Sequence, residues 1–311
     1  NQKIMRLRKS QRTKKMISLI ACAKNEKPYL SEWLSYHLNL GFDKIMLFDN
    51  GGNGDLKSNG KIEVYDAPGD RIQLQSYAFA LSQMKYNDWC FVCDVDEFLN
   101  IGGLSVHDFL KPYQGVDVVK LNWVVYGDND NLKYDDKPVR ERFLKPAPLS
   151  CVYNDTVKIP ENLHTKYFYC HKYKQAMLDI HTAHVEGGIV INTKGQRVAD
   201  SPFQDLCLDR GFVQHYITKS TQEWCERRLN TKDACGNVVA DFDTLKRWYF
   251  NLNTYSKEKE DIIESYRPNK DLGTVPSECH RELLQQLGES KGPESNSKRV
   301  NRSNKKVCGG K

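Results

Sequence analysis

The stretch DWCFVCDVDEFLN, residues 88–100, decides how the chain is read. It offers two chemistries. Cys90 and Cys93 have the spacing of a redox pair, and Asp94, Asp96 and Glu97 could hold a cation. A redox pair needs its first thiol at a helix N-terminus, where the helix dipole lowers the thiol pKa. Here Trp89, Phe91 and Val92 surround the cysteines, and that is strand composition. Residues three apart on a strand face opposite ways, so Cys90 and Cys93 are not expected to bond. Asp94 and Asp96 are two apart and share a face while the chain stays extended. Paired carboxylates repel unless a cation neutralises them, and oxygen ligands suit hard ions such as Mg2+ or Mn2+.

Upstream, the same strand signature recurs between helices. MISLIACA (16–23) is apolar and β-branched, as a buried strand should be. In KNEKPYLSEWLSYHLNLG (24–41), Leu30, Trp33, Leu34, His37 and Leu38 fall on one helical face. Pro28 suits that helix's first turn, and Gly41 the position after its last. KIMLFDN (44–50) and KIEVYDA (61–67) read as strands, RIQLQSYAFALSQMKY (71–86) as a helix and WCFVCD (89–94) as a fourth strand. Strands alternating with helices predict an α/β fold with a mainly parallel sheet covered on both faces. Ligands of such sheets sit beyond the carboxyl ends of the strands, where Asp49 and Asp94 fall.

Downstream, LSVHDFLKPY reads as a short helix and VDVVKLNWVVYG as a strand. Residues 128–148 are polar and read as a long loop. TVKIP, KYFYCHKY and GGIVINTKG read as strands, and TQEWCERRLN, DFDTLKRWYFNLN and KEKEDIIESYR as helices. The expected organisation is a basic arm (1–15), one α/β domain (16–287, divided near residue 125 into a strand–helix half and a half with late helices) and a disordered basic tail (288–311).

Charge distribution narrows the partners. Net charge is +6, but residues 1–15 and 291–311 together carry +13, leaving −7 on the body. An acidic body with basic arms argues against nucleic acid. Such arms suit peripheral contact with an anionic membrane surface, or simply solvated ends. No apolar run approaches a membrane span. The apolar run before Cys22 is six residues, short for a signal peptide. Ten cysteines, most inside apolar runs, favour a reducing compartment and a cytoplasmic location. Asn1 is not an initiator Met, so a removed upstream anchor, and with it a secretory-pathway lumen, is the alternative.

These motifs in this order resemble GT-A-type glycosyltransferases, most closely glycosyltransferase family 92 and bacterial family 2-like relatives. CAKNEKPYLSEWLSYHLNLGFDKIMLFDN is similar to that group's opening, and WCFVCDVDEFL to its metal motif. NWVVYG and QHYITKSTQEWCERRL are similar to its later segments. GGNGD after Asp49-Asn50 departs from the group's usual Asn-Ser.

The resemblance implies a Rossmann-like GT-A fold, a nucleotide-sugar donor (a UDP-sugar first), a Mn2+ or Mg2+ ion, and transfer to a glycan or lipid-linked saccharide with inversion. Asp96 would be the primary metal ligand, and Asp94 would bind ribose or assist the metal. Asp49 would accept from a base N–H. Asn25 and Glu26 would line the base pocket, unless they only cap the following helix. A late histidine would complete the metal or phosphate contacts, with His184 and His215 competing, and Lys219 could contact the diphosphate. Inversion needs a general base, for which Asp128 and Asp205 are candidates. Trp123, Tyr126, Tyr167, Phe168 and Tyr169 offer faces for sugar stacking or for the core. A non-catalytic glycan or membrane adaptor is the alternative. So is a sugar-nucleotide pyrophosphorylase, which would want a Gly-rich phosphate loop where AKNEKP stands.

Overall fold

The computed structural model describes residues 15–152, 160–172, 175–229 and 241–267. The basic arm up to residue 14, most of TVKIP and the C-terminal tail lie outside these residues. β1 (Ile17–Ala23), α1 (Lys27–Asn39), β2 (Lys44–Asp49), β3 (Ile62–Asp66), α2 (Ile72–Ser82) and β4 (Trp89–Val92) form the first half in the expected order. β5 (Glu97–Asn100), α3 (Val106–Leu110), β6 (Val118–Val125), α4 (Val139–Arg142) and β7 (Thr165–Cys170) follow. The chain continues through β8 (Met177–Leu178), β9 (Ala183–His184), β10 (Val190–Asn192) and β11 (Phe212–His215) to α5 (Thr221–Arg228), α6 (Phe242–Leu252) and α7 (Lys257–Ser265).

The main sheet runs β3-β2-β1-β4-β7-β6-β11-β5, with β10 also on β6. β3, β2, β1 and β4 are mutually parallel, β7 is antiparallel to both neighbours, and β10 and β11 are parallel to β6. β5 closes the edge antiparallel to β11. This is a mixed α/β fold with a curled, mostly parallel sheet flanked by helices, compatible with the Rossmann-like GT-A architecture. Two of these strands escape sequence inspection. β5 directly follows the acidic turn, and β11 is only four residues long.

Alternation along the strands divides the core between the two faces of the sheet. Leu19, Ala21, Trp33, Phe91, Cys93 and Phe168 pack on one face; Ile20, Met46, Tyr77, Cys90, Val92, Tyr167 and Tyr169 pack on the other. Cys90 and Cys93 are thereby separated, and burial pushes both thiols well up. The cysteines from Cys22 to Cys225 are all free. A third cluster, around Trp224, Trp248 and Tyr249, joins α5 to α6 and α7.

α1 starts without a side-chain cap, but Pro28 sets its first turn and Gly41, at φ +90°, ends it. The connection β1–α1–β2 moves to one side of β1, and β3–α2–β4 carries the chain back past β1 to its other side. Strand order therefore reverses between β1 and β4, and the crevice of such a reversal is where ligands bind.

Candidate active site

Four segments meet at this crevice: the turn after β1, the Gly-rich loop after β2, the acidic turn after β4, and the entry to α5. The acidic turn corrects one expectation. β4 ends at Val92, and the Glu97 N–H donates to the Asp94 carbonyl at 3.1 Å, so residues 94–97 form a tight turn. Trp33 Nε1 braces it from α1, donating to the carbonyls of Asp94 (3.1 Å) and Glu97 (2.8 Å). Because the chain turns here, the extended-strand rule lapses and the two aspartates have separate partners.

Asp94 accepts from Gln73 Nε2 at 3.1 Å and from Lys166 Nζ at 2.7 Å. Lys166, on β7, also lies 3.3 Å from Glu97 and is fully buried with it. Burial raises the Glu97 carboxyl to about 8, against the pull of Lys166. Asp96 is buried, with Oδ2 2.9 Å from Arg227 Nη1 and 3.5 Å from His215 Nε2. Burial alone would raise the Asp96 carboxyl. Arg227 and His215 outweigh it and hold Asp96 well below the usual range. Arg227 Nη2 continues to Glu26 Oε1 at 2.9 Å.

The turn after β1 and the loop after β2 are tied together by Asn53. Its Oδ1 accepts the Glu26 N–H at 2.7 Å, and its Nδ2 donates to Ala23 O (2.9 Å) and Asp49 Oδ1 (2.6 Å). The Gly51 N–H reaches the same Asp49 oxygen at 2.8 Å. The Asn25 N–H donates to the Gly51 carbonyl at 3.0 Å. Gly52, at φ +74°, leaves no room for a side chain, because a Cβ would stand 1.9 Å from Asn25 Oδ1. Gly52 in GGNGD thus packs directly on Asn25.

Lys219 is buried at the entry to α5, at φ +52°, with Nζ 4.3 Å above the Tyr29 ring and no hydrogen-bond partner among the described residues. Burial, then Arg227, lowers its ammonium to about 8. The backbone amides beside it are already committed. Ser220 N donates to Glu223, Thr221 N to Asn131 O, Gln222 N to Leu132 O, and Glu223 N to Ser220 Oγ. An anion at this place would therefore be met by the lysine rather than by the helix amides.

The remaining candidates separate. His215 joins Asp96, while His184, on β9, lies 3.8 Å from Asp179 and 3.5 Å from Asp200. Asp128 is buried against Lys259 (2.8 Å) and bonded by Tyr249 Oη, which makes it part of the packing of α6 and α7. Asp205 is exposed, on a segment that Asn122 pins through Gln204 Nε2 (2.8 Å) and Cys207 N (3.0 Å). Tyr167, Phe168 and Tyr169 are core residues with no exposed face. Trp123 packs against His164 and His215, with centroids 4.7 and 4.2 Å apart.

Asp96 and His215 suit a divalent ion, offering a carboxylate oxygen and an imidazole whose pKa burial lowers. Among the described residues no three His, Cys, Asp or Glu side chains stand together as a metal cage. An ion here would take its other ligands from substrate phosphates and water.

Sequence inspection missed Lys166, Arg227, Asn53 and Gln73. Lys166 carried a signal: a charge inside the aromatic run TKYFYC must find a buried partner. The others carried none.

No family model matches the chain, and no curated protein matches it. Among solved structures it is similar to TarS 1–349 of S. aureus, at TM-score 0.34 and 14% identity over 81% of this chain and 70% of that one. The complex of the same protein with UDP gives TM-score 0.36 at 14% identity and the same coverage. The bifunctional IspDF of Campylobacter jejuni gives 0.29 at 16% identity, over 50% of this chain and 41% of that one. Among the described residues no helix is long and apolar enough to cross a membrane.

Proposed function

We propose that this chain is a GT-A-type glycosyltransferase of the kind family 92 represents, moving a hexose from a UDP-sugar to a hydroxyl of a glycan or lipid-linked saccharide. The observation that carries this reading is Lys219, an ammonium buried at the crevice between β1 and β4 without a hydrogen-bond partner among the described residues. A buried cation in that position calls for an anion, and a diphosphate fits the place.

Asp49 would accept a base N–H with the oxygen that Asn53 and Gly51 leave unused. Asn25 and Glu26 would frame the same pocket, and Asp94, held by Lys166 and Gln73, would accept from the ribose. Lys219 would hold the diphosphate, stabilising the charge that grows as the sugar–oxygen bond breaks. Asp96 and His215 would hold Mn2+ or Mg2+, which supplies Lewis-acid neutralisation of the leaving diphosphate. Of the two base candidates, Asp205 is open to an acceptor, whereas Asp128 is committed to Lys259. Inversion follows if the acceptor hydroxyl attacks from the face opposite the diphosphate and gives its proton to that base.

Calorimetry with UDP, and UDP release from UDP-galactose and UDP-glucose, test the reading in MnCl2. Binding that Lys219→Met weakens about tenfold or more, with sugar turnover lost in Asp96→Ala, supports it. Binding without turnover of any donor would leave the adaptor, and no binding of UDP would overturn the reading.

A further inference from the structure

Arg227 stands where a catalytic cation would be expected. Its two Nη atoms each lie 2.9 Å from a carboxylate, Nη1 from Asp96 and Nη2 from Glu26. The Asp96 oxygen it holds is the same one that His215 approaches at 3.5 Å. The guanidinium therefore shares the oxygen that a divalent ion bound by Asp96 and His215 would use. The Arg227 side chain is 29% exposed, while that of Asp96 is 3% exposed. Arg227 is the member of the pair that a ligand entering from solvent meets first.

We infer that Arg227 is a resident counter-cation of Asp96, and that a diphosphate draws it off so that nucleotide and divalent ion bind together. This rests on the function proposed above. A divalent ion alone would have to displace a guanidinium or sit beside it, and like charges at such short range repel strongly. Among the described residues it would also find only two protein ligands. A diphosphate removes both obstacles. Its oxygens accept Arg227 Nη1, since guanidinium pairs well with phosphate, while Nη2 keeps Glu26. Other diphosphate oxygens complete the ion's coordination. Lys219, buried over the Tyr29 ring and without a hydrogen-bond partner among the described residues, adds a second cation to meet an incoming anion. Glu26 thereby acquires a role apart from the base pocket, as the pivot that keeps Arg227 in the site.

Thermodynamic linkage makes the coupling reciprocal: UDP must tighten Mn2+ by the same factor as Mn2+ tightens UDP. Calorimetry on the whole chain measures MnCl2 alone, UDP in EDTA, and each in the presence of the other. The expected wild-type coupling is about tenfold or more. In Arg227→Gln, Mn2+ alone binds about tenfold tighter and the coupling shrinks, whereas Arg227→Lys, which keeps the charge, leaves Mn2+ alone weak. The inference is overturned if Arg227→Gln leaves Mn2+ affinity unchanged, or if both variants tighten it equally. Wild-type protein judges it independently of any folding defect in the variants. UDP that binds in EDTA and is indifferent to Mn2+ overturns the coupling while leaving the nucleotide reading intact. UDP that binds under no condition overturns both.

Discussion

Lys166 Nζ lies 2.7 Å from Asp94 Oδ2 across 72 residues of chain, and the same ammonium lies 3.3 Å from Glu97. β7 runs antiparallel between β4 and β6, which places its lysine against the turn that follows β4. One side chain thus neutralises the inner part of the acidic turn. Removing it leaves Asp94 without its cation and the buried Glu97 carboxyl without its nearby ammonium. Lys166→Met should lower stability by about 3–5 kcal/mol, read from the urea midpoint. A double variant with Glu97→Gln should recover part of that loss, and strict additivity of the two would refute the pairing.

Asp128 and Asp205 make opposite predictions. Asp128 is buried on Lys259, so Asp128→Asn should cost about 3 kcal/mol of stability. Asp205 is exposed, so Asp205→Asn should leave stability within about 0.5 kcal/mol of wild type. If it is the base, transfer should fall by about 10²–10⁴ with UDP affinity kept. Unchanged transfer in Asp205→Asn would remove it from the mechanism.

His37 supplies an acid-sensitivity test. It is fully buried, its Nδ1–H donates to Trp33 O at 3.0 Å, and its Nε2 accepts the Leu99 N–H at 3.4 Å. Burial lowers its pKa to about 3. Its unfolded value is near 6.5, so below that pH the unfolded chain takes up a proton that the folded chain refuses. The contribution of His37 is complete above about 6.5 and is lost as pH falls toward 3, at up to about 1.4 kcal/mol per pH unit. His37→Gln should flatten stability over that window relative to wild type, and parallel pH profiles would contradict this.

Gly52 tests the coupling of the Gly-rich loop to Asn25. A methyl group at Gly52 meets Asn25 Oδ1, and φ +74° strains any L-residue. Gly52→Ala should cost about 1–3 kcal/mol and weaken UDP binding, measured by denaturation and calorimetry. Neutral behaviour in both would show that the loop is not held in this form.

Much of the first half was legible in the sequence because its determinants are local. Short apolar, β-branched runs named β1 to β4, a 3.6-residue apolar stripe with Pro28 and Gly41 named α1, and Asp49 and Asp94 stood at predicted strand ends. What surrounds those acids was not legible. Arg227 reaches Asp96 from a helix far along the chain, Lys166 reaches Asp94 from a strand whose antiparallel insertion no periodicity announces, and Asn53 bridges two loops. Local pattern reports which face a side chain takes on its own element. Which charges meet depends on strand order and on how the late helices return to the sheet, and long-range packing decides both. The turn at residues 94–97 shows the same division. The sequence placed two carboxylates together, and the fold gave each its own cation.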